Sequence, residues 1–375
     1  MQQVQIGRSP VYASRVILGA AAIGRPPREP QRRIRAIRAA VEAGLTTIDI
    51  APVYGFGACE RIVGLALRGI RDQAQIFSKV GLRWDDPDGQ GAIAFTAKDE
   101  HGHLRAVRRN SRPESLRLEV ERSLHRLGVD VLDAVHVQQL DVHTPIAETM
   151  GALKDLLREG KLRAIGVSQS YSPWQVLEAQ RALGDVPLAS VQVSYNLLRR
   201  DHESDLLPLA REHGIGVLAH SPLEMGLLAG ELSQSSGFAE GDLRRNRPAY
   251  HPDNLRRISQ ALQRGVEPVA TRHGASIAQV VLAWVLAHPG VTAVVAGASR
   301  PEHACFNAEA ARIELGADER LTIQRVFEQV RLDPYAGLGL ARRTLRRGQR
   351  VAGGVRRVMG ALARLAPEPG RVLVR

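Results

Sequence analysis

A chain of 375 residues with 44% apolar and 24% charged residues is long enough for one large barrel or two ordinary domains, and its balance is that of a soluble globular protein. Its two cysteines, Cys59 and Cys305, lie far apart and match no metal spacing, which argues against a disulfide framework and for a reducing, cytoplasmic setting. The formal charge of +12 is concentrated: residues 331–375 hold eleven arginines against Asp333 and Glu368, a net +9, so the remaining body is close to neutral and no nucleic-acid-binding module is recognisable.

The opening segment, QQVQIGRSPVYASRV, reads as a small hairpin able to plug one end of a barrel. The apolar run at 16–24 is too short to span a membrane; it reads as a first strand rather than as the apolar stretch of a secretory signal, and no transmembrane segment follows. Strand-like runs occur at 16–21, 46–51, 76–80, 133–138, 164–169, 190–195, 216–221 and 292–297. Amphipathic helical patterns lie between them, near 31–44, 58–70, 113–127, 146–160, 173–183, 204–213 and 256–287, with one more at 301–312. Eight strands each followed by helix predict an α/β fold of the (β/α)8 TIM-barrel type. An open doubly wound sheet is the competing arrangement, but it usually carries a G-x-G-x-x-G turn after its first strand, and none stands there.

Two connections are long, 81–112 and 222–255, and both follow the C-terminal ends of strands, where barrels place their active sites. We therefore expect a barrel over residues 1–330 and a separate Arg-rich tail over 331–375. The tail reads as a disordered or loosely docked extension; a basic amphipathic segment that meets an acidic partner or an anionic surface is the sharper reading.

The most informative stretch is Asp49-Ile-Ala-Pro-Val-Tyr54-Gly, which closes the second strand-like run. Lys79 closes the third. It is one of only four lysines, beside 47 arginines, and a lysine kept among apolar residues in such a chain suggests a role that guanidinium cannot fill. A free phenol has a pKa of roughly 10 and is a sluggish acid near neutral pH. An adjacent ammonium favours the phenolate, and a carboxylate holds the ammonium in place, so Asp, Lys and Tyr at successive strand ends are the parts of a proton-donating tyrosine.

TTIDIAPVYGFGACERIVGLAL, FSKVGLRWD, RRNSRPESLRLEVERSLHRLGVD, LREGKLRAIGVS, VQVSYNLLRRD and HSPLEMGLLAG stand in one order and spacing that resembles the aldo-keto reductase superfamily, in particular its bacterial members similar to inositol-operon and general-stress reductases. The resemblance covers about residues 5 to 330. It implies hydride transfer between a nicotinamide and a carbonyl carbon, with Tyr54 as the acid, Lys79 as its tuner and Asp49 as the orienter. The family's catalytic histidine falls on Gln138, which can donate a hydrogen bond but cannot act as an acid or base near neutral pH. His136, two residues earlier on the same strand face, reads as a core histidine.

The resemblance also implies a cofactor site. Ser168, Gln169 and Gln192 match the groups that hold the nicotinamide amide, with Gln169 in place of an asparagine. His220 takes the place of the ring-stacking aromatic, Ile50 that of a threonine, and Ala21 or Ala22 that of a tryptophan. Ser221, Pro222 and Leu223 match the loop over the pyrophosphate. Gly297, Ser299, Arg300, His303 and Asn307 match the site of the adenine and the 2′-phosphate, so NADP is the expected cofactor, with NAD the other option. There Phe306 takes the place of a glutamate. Trp84 is a candidate wall of the substrate pocket, with packing as its plain role.

The resulting expectation is an NADP-linked oxidoreductase acting on a small carbonyl compound or alcohol, sugar-like or a specialised metabolite. The cluster of changes at Gln138, Gln169, His220 and Ile50 keeps two other readings open: the fold reassigned to a transient or non-redox reaction, or a non-catalytic NADP-binding sensor or partner subunit. No metal, nucleic acid or integral membrane association is expected, and the oligomeric state is not legible.

Overall fold

A computed structural model describes residues 1–24, 29–86, 89–99, 101–168, 171–232, 237–238, 242 and 244–336. Gln169 and all of the tail from residue 337 lie outside these described residues. The chain divides into two compact units, Met1–Glu231 with Gln260–Val330, and Leu232–Ser259 with the segment from Arg331.

The larger unit opens with a hairpin, β1 (Gln3–Gln5) and β2 (Tyr12–Ser14), paired antiparallel as its sequence predicts. Then come β3 (Val16–Gly19), α1 (Pro30–Glu42), β4 (Thr47–Asp49), α2 (Ala58–Leu67) and β5 (Gln75–Val80). The long connection that follows is not a plain loop. It folds as a small antiparallel sheet of β6 (Leu82–Arg83), β7 (Ile93–Lys98) and β8 (Leu104–Arg109), in the order β6-β8-β7. Next stand α3 (Pro113–Leu127), β9 (Ala134–Val137), α4 (Ile146–Arg158), β10 (Ile165–Ser168), α5 (Pro173–Leu183), β11 (Leu188–Ser194), α6 (Leu206–His213) and β12 (Gly216–His220). The helical run expected at 256–287 is three helices, α7 (Pro252–Ala261), α8 (Glu267–His273) and α9 (Ile277–Leu286). A five-residue π turn separates the first two, and Gly274, with φ +58°, ends the second. β13 (Ala293–Gly297), α10 (Pro301–Glu309) and an unanticipated α11 (Ala317–Glu328) complete the order. Only Ile323 and Phe327 of α11 are fully buried, too few to mark a helical stripe from sequence.

Local chemistry sets the ends of these helices. Proline in the first turn of α1, α3 and α10 sits where its missing N–H costs nothing. Capping boxes begin α5 (Ser172 with Gln175) and α9 (Ser276 with Gln279). Gly128, in the left-handed conformation at φ +68°, ends α3.

All eight strands expected for the barrel form and close in the order β10-β11-β12-β13-β3-β4-β5-β9. One buried cluster joins the hairpin (Ile6, Val11, Ala13) to Ile17, Phe77, Ala134, Leu218, Ala293 and Val295. Residues from strands spread around a closed barrel can touch only inside it, so this cluster identifies the inward face and places the hairpin at the N-terminal mouth. Side chains alternate along a strand, so counting by two from the cluster brings Gly19, Lys79, Gln138, Ser168, His220 and Gly297 inward at the opposite, C-terminal end. Asp49, paired with Phe77, and Gln192, paired with Ser168, share that face.

One layer deeper lies His136, wholly buried, beside Gly166 and bonded through Nε2 to Ser190 Oγ at 2.8 Å. A Cβ at position 166 would meet His136 Cδ2 at 2.4 Å and the Ser190 carbonyl oxygen at 2.8 Å. The histidine is thus accommodated by a missing side chain. Gly166→Ala is expected to lower stability by about 1–3 kcal/mol in thermal or urea unfolding. Adding His136→Ala should make that increment smaller, since the two sites share one space.

In the smaller unit, Asn254 clamps the chain beyond Val330. Its amide donates to the carbonyl of Asp333 at 2.9 Å, and its Oδ1 accepts from the Asp333 N–H at 2.9 Å. Arg257 Nη1 adds a bond to the Arg331 carbonyl at 2.6 Å. Among the described residues, no single helix is long and apolar enough to cross a membrane.

Candidate active site

The C-terminal mouth of the barrel is organised by a buried carboxylate. Asp49, at the end of β4, accepts from Lys79 Nζ through Oδ2 at 2.6 Å and from Gln192 Nε2 through Oδ1 at 2.5 Å. Lys79 also donates to the Ile50 carbonyl at 2.9 Å. Its ammonium lies 5.2 Å from the centre of the Tyr54 ring. Burial alone would drive this ammonium to lose its proton, but Asp49 and then Tyr54 outweigh it, so Lys79 titrates above its ordinary value and stays charged.

Tyr54 departs from the simple expectation. Lys79 does pull the phenol toward ionisation, yet burial is the larger influence and Asp49 adds to it, so the phenol titrates above its usual 10. It is therefore a protonated phenol at neutral pH, with a cation in place to stabilise the phenolate as it forms. Tyr54 as a residue is half-buried. The loop that carries it, Gly55-Phe56-Gly57, runs through three successive left-handed residues, with φ +67°, +54° and +85°.

Gln138 follows β9 and is held through its backbone N–H, which donates to the Val80 carbonyl at 2.9 Å. Its side chain is partly exposed and has no hydrogen-bond partner among the described residues. His136 sits below, and burial keeps it neutral, with its pKa lowered to about 4. His220, at the end of β12, is likewise lowered to about 4 by burial and next by Lys79; its Nδ1 lies 3.1 Å from Ser221 Oγ.

The segment after β12 is constrained from behind. Ser221 has φ +55°, and its carbonyl accepts from Asn196 Nδ2 at 2.9 Å. The same amide reaches Glu224 Oε2 at 2.9 Å, and Arg199 grips that carboxylate with two bonds of 3.0 Å. Pro222 and Leu223 lie in the turn so held. After β13, Gly297 is exposed, and a Cβ there would find open space, its nearest neighbour 4.0 Å away. Asn307 donates to the Gly297 carbonyl at 3.3 Å, and Arg33 Nη1 to the Ser299 carbonyl at 3.2 Å. Arg300 and His303 are exposed at the start of α10, which has no side-chain cap.

Trp84 stands beside this mouth. Phe56 meets its ring edge-on, with centroids 5.5 Å apart, and the Arg126 guanidinium lies 5.8 Å from its centre. Several of these supporting residues are invisible to sequence reasoning. Glu60 in the first turn of α2 reads as an ordinary helix-start acid, and Asn196, Arg199 and Glu224 fall in separate loops with no shared motif.

An eight-stranded parallel barrel with a buried Asp-Lys pair under a tyrosine at its C-terminal mouth defines an enzyme of the (β/α)8 class. Residues 15–328 match the aldo/keto reductase family, and the chain belongs to it. It is 34% identical over 87% of its length to the NADH-specific methylglyoxal reductase of Escherichia coli (strain K12), covering 98% of that protein. It is 32% identical over 89% of its length to the aldo-keto reductase YhdN of Bacillus subtilis (strain 168), covering 96% of it. Among solved structures it is similar to the glycerol dehydrogenase AKR11B4 from Gluconobacter oxydans, with a TM-score of 0.78 and 33% identity over 90% of this chain and 98% of that one. The chain is thus an oxidoreductase that interconverts a carbonyl and an alcohol on a small molecule with a nicotinamide cofactor.

The residues present fit such a dinucleotide. Inward amide and hydroxyl groups (Gln192, Ser168) stand at the mouth, and the α10 N-terminus leaves its first N–H groups uncapped beside the open space at Gly297.

Behind the Lys79 strand, Glu119 of α3 is buried, with both carboxylate oxygens 3.1 Å from the Gly81 N–H. Burial raises its pKa from 4.5 to about 8. The folded pKa lies above the unfolded one, so the stability Glu119 contributes is full below 4.5 and lost as pH rises toward about 8. Glu119→Gln should therefore flatten the decline of the urea midpoint across that window; an unchanged slope would show that Glu119 does not cause it.

Proposed function

We propose that Tyr54 is the proton donor to the carbonyl oxygen, Lys79 the cation that stabilises its phenolate, and Asp49 the carboxylate that holds Lys79. The observation that carries this reading is the bracketed Asp49, bonded to Lys79 on one oxygen and Gln192 on the other. A nicotinamide bound beside Ser168 and Gln192 would supply the hydride for reduction of the carbonyl carbon and take it back in oxidation. A phenol kept protonated by burial favours reduction near neutral pH, because the proton is in place when the substrate arrives. Gln138, inward by strand parity and without a side-chain partner among the described residues, is placed to orient the carbonyl oxygen by a hydrogen bond. Ser168, Gln192 and His220 line the nicotinamide end; Ser221, Pro222 and Leu223 cover the pyrophosphate. Trp84 forms a wall of the substrate pocket.

At the adenine end we assign Gly297, Ser299, Arg300, His303 and Asn307. Arg300 lies close enough to Arg33 and Glu29 for their charges to interact, so α1 and α10 bring several cations together and favour the phosphate-bearing dinucleotide, NADP. The E. coli relative is named NADH-specific, which makes cofactor preference the first measurement to take. Arg300→Ala is expected to raise KM for NADPH more than for NADH; equal effects would remove the phosphate role. The substrate is a small carbonyl compound or its alcohol, handled in the cytoplasm.

Tyr54→Phe is expected to lower turnover at least about a hundredfold with cofactor binding intact, followed by NADPH absorbance over a panel of aldehydes and ketones. Unchanged turnover would remove Tyr54 as the acid. Gln138→His is expected to raise reduction of generic carbonyls. Gln192→Leu should lower kcat as well as weaken cofactor binding, since the residue steadies Asp49; a change in cofactor affinity alone would confine it to the cofactor.

A further inference from the structure

We propose that Arg126, anchored by the buried carboxylate of Glu60, is a positioning residue that locks Trp84 to the Tyr54 loop and so sets which substrates the pocket prefers. This inference rests on the reading of Tyr54 as proton donor and Trp84 as pocket wall.

The loop after Tyr54 is a strained element. Phe56 is a non-glycine residue at φ +54° between two left-handed glycines, a conformation that persists only where its surroundings hold it. Backbone bonds hold it from within, such as Gly57 N–H to the Pro52 carbonyl at 2.7 Å, and side chains from other segments close on it from outside. The Phe56 ring abuts the edge of Trp84, and the Arg126 guanidinium lies over the same indole. The Arg126 stem also packs on Gly57, where a Cβ would come within 2.8 Å of Arg126 Cδ. One side chain thus touches both the donor loop and the pocket wall.

Arg126 is in turn held by α2. Its Nε donates to Glu60 Oε2 at 2.5 Å, and Glu60 has no exposed surface. The other Glu60 oxygen has no hydrogen-bond partner among the described residues, so the Arg126 guanidinium is the side-chain cation seen to compensate this carboxylate there. The frame behind the pair is close-set: a Cβ on Gly64 of α2 would strike the Leu127 carbonyl of α3 at 2.3 Å. A planar guanidinium offers one edge to a carboxylate and a flat face to a ring, whereas a lysine ammonium is a compact point charge with neither. The arrangement therefore links α2 through α3 to the wall and the donor loop in a geometry that guanidinium suits.

The test is a double-mutant cycle on Arg126→Lys and Trp84→Ala, with Tyr54→Phe as the control on the site. Arg126→Lys keeps a charge for Glu60 and loses the plane over the indole. We expect NADPH binding to be retained. The ratio of kcat/KM for methylglyoxal to that for a bulky aromatic aldehyde should shift about tenfold, carried mainly by KM. Trp84→Ala should shift the same ratio, and the double variant should shift it no further than Trp84→Ala alone. Additive shifts, or an unchanged ratio in Arg126→Lys, overturn the inference. An unchanged ratio in Trp84→Ala instead shows that the pocket-wall reading is wrong, and retained turnover in Tyr54→Phe that the donor reading is wrong. If Arg126→Lys does not fold, Glu60→Gln takes its place in the cycle, with the same expected and overturning results.

Discussion

The ammonium of Lys79 and the carboxylate of Asp49 are both taken out of water, and neither could be left there alone. Removing one partner of such a pair typically costs about 3–5 kcal/mol, because the other is stranded as an uncompensated charge. Pairing at 2.6 Å helps keep the Lys79 ammonium charged, and that charge is what the site needs beside a phenol. The barrel supplies the geometry: β4 and β5 are neighbours, and their C-terminal ends deliver the two side chains to one interior face. Gln192, from β11 across the barrel, reaches the second oxygen of Asp49 and fixes the carboxylate plane.

From that pair outward, the mouth is assembled in rings of support. Burial favours the protonated Tyr54 phenol while Lys79 favours its anion, so two opposed influences meet on this one group. The turns after β12 and β13 are tied by side chains from other segments. Asn196 and Arg199 hold the turn after β12, and Asn307 and Arg33 hold the one after β13. These bonds mostly take backbone carbonyls or buried acids as acceptors. They shape the loops and leave the inward groups at the strand ends for ligand.

The side chains along β9 make sense in the same terms. His136 lies one layer below the mouth, where Gly166 makes room for it and burial keeps it neutral. The position above it carries Gln138, which can orient an oxygen but cannot share a proton.

How much of this was legible from residues alone follows from the range of the forces involved. Strand and helix periodicity, proline and glycine at helix ends, and the spacing of Asp49, Tyr54 and Lys79 are local, and they determined the barrel, its eight strands and the identity of the central residues. The antiparallel sheet within 81–112 escaped notice because its strands alternate weakly and pair through a bulge. The expected helix at 256–287 is divided at Gly265 and Pro268, beside the π turn, and at the left-handed Gly274, breakers that the apolar pattern across them conceals. What only the tertiary structure decided are the long-range partnerships: Gln192 on Asp49, Glu60 on Arg126, Asn254 on Asp333, and a phenol whose burial outweighs its cation. Each depends on which groups lose water together, and that is settled by distant segments closing around one space rather than by any neighbour in the chain.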